Sequence, residues 1–383
     1  MKIIVNLLPL KTGGGVQVAL DFLAQANLYG KEHTWLVVAR KDGPFSDYPE
    51  TSNIKVVALV EDNIRSRLYF EYFGCKTLIN KYQPDLIYTQ FGPHWPGSRV
   101  TNVAGCAYSN IFYPDLDFWG SLPPLKRLVK KCIDRLRLKR ILAADVRIFE
   151  TKDLADRAIN QYGLSKSSVF YVRAAVSSLV TESSFHVETQ LRCESLPRGY
   201  KILLLSGYHP NKNIEFLVDT AADLKRRGIK DVSFILTLPE SDPGTQTVIE
   251  KINSLGVTDY IYNFGPVPQA GCCELYRYCN AAILPSTLES FSNMIAESWA
   301  MKKLLYISDL SWGRSLCGSG AVYYDFLNSE SLINQIVRYK EDNVLAEEVI
   351  EAGSKELSGY PSSKERFLSY LSIIESVDSG GEK

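Results

Sequence analysis

The sequence is poor in the residues that build metal centres and disulfide scaffolds. Its 383 residues include four histidines, and its eight cysteines are scattered without a C-x-x-C pair. Zinc sites need closely spaced cysteine and histidine ligands, so this spacing argues against one. In a chain of this size we expect the cysteines to be reduced and mostly buried.

The sequence also lacks an excess of charge of either sign and a long hydrophobic run. Lysine plus arginine and aspartate plus glutamate each number 43, so the net charge is zero, which argues against a nucleic-acid partner. No run of about 18 apolar residues predicts a membrane span. The first apolar run is interrupted by Pro9 and Lys11, too early for a secretion signal, so we expect a cytoplasmic protein.

What the sequence does contain is two runs in which strands alternate with helices, and this alternation predicts parallel sheets of the doubly wound α/β class. The first run predicts strands over 3–5, 34–39, 54–59 and 85–89, a helix from Val16 and another over 68–81. The second run predicts strands over 201–206, 233–237, 260–263, 281–284 and 304–308, separated by helices over 214–227, 248–255, 271–279 and 294–301.

A segment without strand periodicity separates the two runs. Residues 177–199 are rich in serine and threonine and end with Pro197 and Gly199, which is typical of a linker. We therefore predict a Rossmann-like domain over 1–183, a linker over 184–199 and a second Rossmann-like domain over 200–360. The remaining segment, 361–383, contains an amphipathic helix over 362–377.

In doubly wound domains, ligands bind at the carboxyl ends of the strands, so the loops there carry the functional signal. Gly13-Gly14-Gly15 stands directly before the first helix, where a close backbone approach and free amides suit a phosphate or sugar oxygen. The alternative is a tight strand–helix turn. The G-x-G-x-x-G spacing of NAD-binding proteins is absent.

Two loops of the second half carry charged candidates. Lys212 follows the strand over 201–206 beside a helix start, where its ammonium suits a diphosphate; a solvated lysine is the alternative. The stretch 285–297 also links a strand to a helix, with Glu289 in the loop and Glu297 in the helix. Backbone amides of 290–293 are free for phosphate oxygens. The alternative for the two glutamates is a capping acid and an exposed helix acid.

In combination, these motifs resemble those of retaining glycosyltransferases of the GT-B fold, family 4. The E-x7-E motif of that family matches Glu289 to Glu297 with Phe291 between them, and Lys212 stands in its lysine position. Phe264-Gly265-Pro266-Val267 looks like its base-binding loop, and Gly14-Gly15 like its N-terminal glycine loop. Further short motifs look like those of bacterial members that build surface polysaccharides, such as O-antigen or capsule: Phe91-Gly92-Pro93, Tyr113-Pro114-Asp115, Ser308-Asp309-Leu310 and Cys317-Gly318.

The resemblance implies two Rossmann-like domains facing a cleft, with the C-terminal helix crossing back to the first domain. It further implies transfer of a hexose, with retention, from a UDP- or GDP-sugar to a hydroxyl of a glycan or lipid-linked oligosaccharide, without a metal. Lys212 and Glu289 would be the catalytic residues, and Glu297 would bind the ribose. The donor-binding residues that it implies are Gly14, Gly15, Lys212, Phe264, Gly265, Val267, Glu289, Ser290, Phe291, Ser292, Asn293 and Glu297.

Two departures from the family pattern keep alternatives open. Tyr208 stands where many members have an arginine, and the first-domain loop lacks the usual histidine, so Tyr108 or Asn110 would position the acceptor. The alternatives are a nucleotide-sugar epimerase of the same fold and a non-catalytic binding or scaffold protein. Asp115 and Asp117 spell a D-x-D triplet, but short acidic triplets are common and no metal site is predicted.

A basic amphipathic stretch follows, over 125–142. Its apolar residues recur at helical spacing, with eight lysines and arginines between them and one acid, Asp134. This pattern suits an anionic membrane surface, with Lys126, Arg127, Lys130 and Lys131 as the contacts and a peripheral position on the inner face of the cytoplasmic membrane. A lipid-diphosphate acceptor and an ordinary solvated helix face are the alternatives.

Overall fold

The computed structural model describes residues 1–11, 13–120, 122–176, 180–182 and 184–378. The chain divides into two compact units, Met1–Ala175 together with the segment from Pro361, and Val176–Tyr360. Each unit is built around one parallel sheet that is covered by helices.

The described residues of the first unit form a seven-stranded parallel sheet in the order β3-β2-β1-β4-β5-β6-β7. Its strands are β1 (Lys2–Asn6), β2 (Thr34–Arg40), β3 (Ile54–Val60), β4 (Leu86–Thr89), β5 (Thr101–Cys106), β6 (Val146–Phe149) and β7 (Val169–Tyr171). Its helices are α1 (Gly14–Tyr29), α2 (Ile64–Tyr69), α3 (Cys75–Tyr82), α4 (Ser109–Phe112), α5 (Pro124–Leu142) and α6 (Lys152–Tyr162).

The described residues of the second unit form a six-stranded parallel sheet in the order β10-β9-β8-β11-β12-β13. Its strands are β8 (Tyr200–Leu204), β9 (Val232–Leu236), β10 (Ile261–Asn263), β11 (Ala281–Leu284), β12 (Leu304–Ser308) and β13 (Val322–Tyr324). Its helices are α7 (Val187–Cys193), α8 (Ile214–Arg226), α9 (Pro243–Leu255), α10 (Cys272–Tyr278), α11 (Asn293–Ala300), α12 (Ser311–Cys317), α13 (Ser329–Glu341) and α14 (Asn343–Ser358).

Both strand orders grow outwards in two directions from a first strand, which is the doubly wound Rossmann arrangement. The predicted fold class is therefore confirmed. The order reverses between β1 and β4 in the first unit and between β8 and β11 in the second, so each unit has its ligand crevice at the carboxyl ends of those strands. β11 and β12 are buried along their whole length because helices cover both faces of the sheet.

The last helix, α15 (Ser363–Asp378), belongs to the first unit. It packs on α1, where the ring of Phe22 lies 5.3 Å from that of Phe367 and 5.9 Å from that of Tyr370. Arg366 of α15 also donates a hydrogen bond to Asp21 of α1 over 2.7 Å. Aromatic packing and a nearly buried ion pair thus hold the end of the chain on the unit that contains its beginning.

The structure corrects several boundaries. The expected linker 184–199 contains α7, which packs on α10 and buries Thr189 and Cys193, so a polar composition concealed a short helix. Positions 177–179 and 183, which precede the expected linker, and 379–383 of the tail lie outside the described residues. The helix expected over 68–81 is divided by a π-helical turn at Phe70–Gly74. β5, β6, β7 and β13 were not predicted, because three to six residues carry little periodicity.

No helix in the described part of the chain combines the length and the apolar character needed to cross a bilayer.

Candidate functional site

Lys212 and Glu289 form an ion pair at the crevice of the second unit. Lys212 lies in a short turn after β8 and Glu289 in the loop after β11, and these loops adjoin because β8 and β11 are parallel neighbours. The Nζ atom of Lys212 is 2.6 Å from Oε1 of Glu289, and the two side chains are only 18% and 10% exposed. Ser286 donates a second hydrogen bond to the same oxygen, over 2.6 Å.

The backbones of these two loops are tied together. The side-chain amide of Asn211 donates from Nδ2 to the carbonyl of Leu288 over 2.8 Å, and the Thr287 N–H donates to the carbonyl of Asn211 over 2.8 Å. Asn213 has a left-handed φ of 49°, a conformation that asparagine tolerates well, and it turns the chain into α8. The position of the ion pair is therefore set by hydrogen bonds between the two loops, a rigidity that suits a binding site.

Glu297 is a buried carboxyl group in the middle of α11. It is 6% exposed, and the hydroxyl of Tyr276 on α10 donates to its Oε2 over 3.2 Å. Burial raises the pKa of Glu297 to about 7, and the hydrogen bond from Tyr276 opposes part of that rise. Among the described residues no cation lies within ion-pair distance of it. A buried acid without a counter-charge is typical of a functional position.

The start of α11 lies directly after the Glu289 loop. Ser292 is the N-cap residue, but its side chain makes no capping hydrogen bond, so the first amides of the helix keep their capacity to bind an anion. Ser290 and Phe291 are half-buried in the loop, and the ring of Phe291 is 6.1 Å from that of Tyr360. Asn293 opens the helix. The helix start and the loop that holds Lys212 therefore both follow strands at the crevice of the second unit.

The 264–267 loop follows β10 at the same edge of the sheet. Gly265 has a φ of +78°, which favours glycine, and Val267 is half-buried. The guanidinium of Arg192 lies 4.1 Å from the ring centroid of Phe264 and donates to the Phe264 carbonyl over 2.5 Å. Arg192 therefore clamps this loop. The sequence provided no signal for it, because it lies in α7, within the expected linker.

Tyr208, which replaces the usual arginine, has a packing role. Its hydroxyl donates to Glu215 over 3.0 Å, and a Cβ on Gly244 would lie 2.0 Å from its ring. The ring thus covers the first turn of α9. Lys212 remains the one lysine or arginine of the loop between β8 and α8, 205–213.

The glycine loop lies at the crevice of the first unit. Gly13 has a left-handed φ of +79°, and α1 begins at Gly14. A Cβ on Gly15 would lie 3.0 Å from Cδ2 of Leu10 and 3.5 Å from the ring of Phe91, which follows β4. The glycines therefore permit the tight strand–helix turn that was the alternative to a ligand site. They also leave the main chain at the start of α1 open to a ligand.

Both predicted acceptor residues, Tyr108 and Asn110, contact side chains of α5. Asn110 donates to the Asp134 carboxylate over 2.7 Å, and the guanidinium of Arg137 stacks 4.5 Å from the Tyr108 ring centroid. Of the predicted membrane residues, Lys126 and Lys130 are exposed, whereas Arg127 pairs with Asp117 over 2.7 Å. Lys131 is also exposed and lines a pocket described below.

The predicted site residues therefore fall into two groups. Lys212, Glu289 and the 264–267 loop lie at one sheet edge of the second unit, with Glu297 in the helix that follows. Gly14, Gly15, Tyr108 and Asn110 lie in the first unit. Each acid of the D-x-D triplet pairs with an arginine: Asp117 with Arg127, and Asp115 with Arg157 at 3.6 Å.

Among the described residues, the one cluster of three possible metal ligands is Glu32, His33 and Glu375. His33 immediately precedes β2, so this cluster lies at the amino ends of the strands, away from the ligand-binding edge.

Comparison with known proteins finds a family match within the second unit. Residues 199–342 match the family described as glycosyl transferases group 1. No curated protein matches the sequence. Solved structures match over nearly the whole chain: sucrose-phosphate synthase from Thermosynechococcus elongatus (15% identity, TM-score 0.75, 100% of both chains) and a glycosyltransferase from Rickettsia africae (16%, 0.74, 99% of both). Anabaena HepE in complex with UDP and glucose is similar (17%, 0.71, 98% of this chain and 100% of that one).

At these identities the structural matches establish the fold, which is GT-B. Together with the group 1 match they support a GT-B glycosyltransferase.

Proposed function

We propose that this protein transfers a hexose from a UDP- or GDP-sugar to a hydroxyl of a glycan or lipid-linked oligosaccharide. The observation that carries the proposal is the Lys212–Glu289 pair, held by hydrogen bonds between two loops at the crevice of the unit that contains the glycosyltransferase family match. The bacterial surface-polysaccharide motifs favour a role in building O-antigen or capsule.

In the free protein, the charges of Lys212 and Glu289 neutralise each other. A donor separates them, because its diphosphate takes the Lys212 ammonium and a hydroxyl of its sugar takes the Glu289 carboxylate. The amides at the start of α11, those of Ser292 and Asn293, receive phosphate oxygens. Lys212 thus exchanges a carboxylate for a phosphate, and Glu289 exchanges an ammonium for a hydroxyl donor, so neither buried charge loses its hydrogen-bond partner, which limits the desolvation cost of donor binding.

Transfer breaks the bond between the anomeric carbon and the diphosphate and forms a bond to the acceptor oxygen on the same face of the sugar. The proton of the acceptor hydroxyl passes to the leaving phosphate oxygen, so no protein nucleophile is needed. Lys212 and the helix start stabilise the charge that develops on the leaving diphosphate, the role that a metal has in other transferases. The reaction therefore needs no metal and retains the anomeric configuration.

Donor binding can be tested first, by thermal unfolding with UDP, GDP and their sugars in EDTA. A ligand at 100 times its Kd adds about 2.7 kcal/mol of stability. We expect one base to stabilise the wild type and Lys212→Ala to lose that effect. Lys230→Ala, an exposed lysine of the same unit, is the matched control. No stabilisation by any nucleotide would favour the non-catalytic alternative.

The products then separate the transferase from an epimerase. With an acceptor glycan present, the transferase releases the nucleoside diphosphate and forms a glycoside whose anomeric configuration NMR can assign. Formation of a second nucleotide sugar without an acceptor would instead establish the epimerase.

We also propose that α5 docks on an anionic membrane. Four of its apolar residues face solvent: Leu125 is 74% exposed, Leu128 57%, Val129 51% and Leu136 52%. Ile141 alone in this helix is buried. Lys126 and Lys130 are exposed on the same helix. An apolar stripe flanked by cations suits the interface of an anionic bilayer.

Co-sedimentation with vesicles tests this docking. We expect binding to phosphatidylcholine vesicles that contain phosphatidylglycerol, weaker binding without the anionic lipid, and loss of binding in Leu128→Glu. Leu327→Glu, which changes a still more exposed leucine of the second unit, should bind as the wild type does. Equal loss in both variants would refute docking through α5.

A further inference from the structure

A pocket of about 460 Å³ lies in the first unit between α5 and the loop that follows α4. Its volume is within the range of small-molecule sites. Along α5 it is lined by Arg127, Lys131, Asp134, Arg135 and Leu138. These positions recur every three or four residues, so one face of the helix forms a wall of the pocket. The exposed stripe Leu125–Leu136 lies on the opposite side of the helix.

The acidic groups of the pocket are already neutralised by arginines. Asp117 pairs with Arg127 and Asp115 with Arg157. Asp134, the most buried of the three, accepts hydrogen bonds from Trp119 over 2.6 Å, Asn110 over 2.7 Å and Arg137 over 3.1 Å. All three carboxylates thus have a guanidinium partner.

Two cations of the pocket have no such partner. Neither Lys131 nor Arg135 makes an ion pair or a hydrogen bond within the described part of the chain. They are four residues apart on α5, so their side chains lie next to each other, about 5–6 Å apart at Cβ. The pocket therefore presents two unpaired positive charges, spaced for the oxygens of one phosphate or diphosphate.

Beside these charged groups, the wall has an apolar part. Phe118 and Trp119 form an edge-to-face pair with ring centroids 4.7 Å apart, and Leu116 and Leu138 complete the surface. The hydrogen bond from Trp119 to Asp134 fixes the indole in place. An ordered aromatic wall beside two free cations matches a ligand with a phosphate head and an apolar or sugar portion.

We propose that this pocket binds the phosphate or diphosphate group of the acceptor, and that the acceptor is a lipid-linked phosphate. The inference rests on the proposed transferase function and specifies its acceptor class. Asn110 then acts by holding Asp134 at the base of the pocket, which makes it a positioning residue for the acceptor.

Direct binding to the full-length chain tests the proposal. Calorimetry with geranyl diphosphate, in a Lys212→Ala background that disables the donor diphosphate contact, should detect one site. Lys131→Gln with Arg135→Gln should weaken its affinity at least tenfold. The control is Lys126→Gln with Lys139→Gln, which removes the same charge from the same helix outside the pocket and should change affinity less than twofold. Thermal unfolding verifies that both double variants are folded.

Equal weakening in the two double variants would overturn the pocket, because it would show a diffuse attraction to α5. Inorganic pyrophosphate binding as tightly as geranyl diphosphate would overturn the lipid assignment and identify a free-phosphate site. A Phe118→Ala variant should weaken geranyl diphosphate but leave pyrophosphate unchanged.

These measurements distinguish a failure of the acceptor proposal from a failure of the proposed transferase function. If the wild type binds a nucleotide sugar but not geranyl diphosphate, the acceptor inference falls while the donor site stands. If no nucleotide binds, the proposed function itself falls.

Discussion

Replacing Glu297 by glutamine tests whether burial raises the pKa of this carboxyl group and so makes the stability of the protein depend on pH. Its pKa is raised from 4.5 to about 7 by burial. Between these values the folded protein retains a proton that the unfolded chain releases, so stability falls as the pH rises. The full difference is about 3 kcal/mol, since each pKa unit corresponds to about 1.4 kcal/mol. The stability is present below pH 4.5 and lost once the pH passes 7.

Glutamine is neutral at every pH and can accept the same hydrogen bond from Tyr276. We therefore expect the variant to match the wild type near pH 5 and to be more stable at pH 8, with the difference between them changing by about 2–3 kcal/mol over that interval. Urea unfolding at pH 5, 6, 7 and 8 measures it. Glu348→Gln, at an exposed position, makes the same charge change and should show no such trend.

A second variant and a ligand sharpen the test. Tyr276→Phe removes the hydrogen bond that lowers the pKa of Glu297, so the transition should move to higher pH. If the carboxylate binds ribose, a nucleotide sugar favours its ionised form, whose population grows about tenfold between pH 6 and 8. Affinity should rise accordingly in the wild type and stay constant in Glu297→Gln. Parallel stability curves for the wild type and Glu297→Gln would refute the reasoning.

Three further predictions concern the same unit. Lys212→Ala should lower kcat/KM at least about 100-fold, since a contact to the leaving diphosphate is lost. The double variant Lys212→Ala with Glu289→Gln should recover stability in urea but not turnover. Recovery of turnover would contradict the role of the lysine. Arg192→Ala should weaken nucleotide affinity about tenfold with little change in kcat, because the 264–267 loop loses its clamp; an unchanged Kd would show that the loop holds itself. Gly353→Ala should lower the free energy of unfolding in urea by about 1–3 kcal/mol, because the new Cβ would lie 2.3 Å from the buried indole of Trp299 on α11. An unchanged free energy would mean that α14 can shift.

The alternation of apolar strands and amphipathic helices was enough to predict the fold class. The predicted strand over 304–308 coincides with β12, and that over 281–284 with β11, because each is a short apolar run with clear boundaries. The strands that were missed are short, and α7 was taken for a linker because a seven-residue polar helix has almost no apolar face. Local pattern cannot reveal an element that owes its existence to packing.

The candidate site divides in the same way. Lys212, Glu289 and Glu297 could be singled out because they stand after strands and in a familiar spacing. Their states could not be predicted. The ion pair arises because the sheet makes β8 and β11 neighbours, and the pKa of Glu297 is raised because the folded chain buries its carboxyl group. Arg192 carried no sequence signal at all, since its role depends on a loop that lies far along the chain.

By itself, the sequence determined the class of fold, the division into two α/β runs and the position of the candidate loops after strands, because periodicity and turn residues are local properties. Only the tertiary structure decided which of these groups meet. It also decided that the apolar stripe of α5 faces solvent and that Lys131 and Arg135 remain unpaired beside a pocket. Burial, pairing and exposure depend on neighbours that are distant in sequence, and the free energy of a charge depends on them more than on its own residue type.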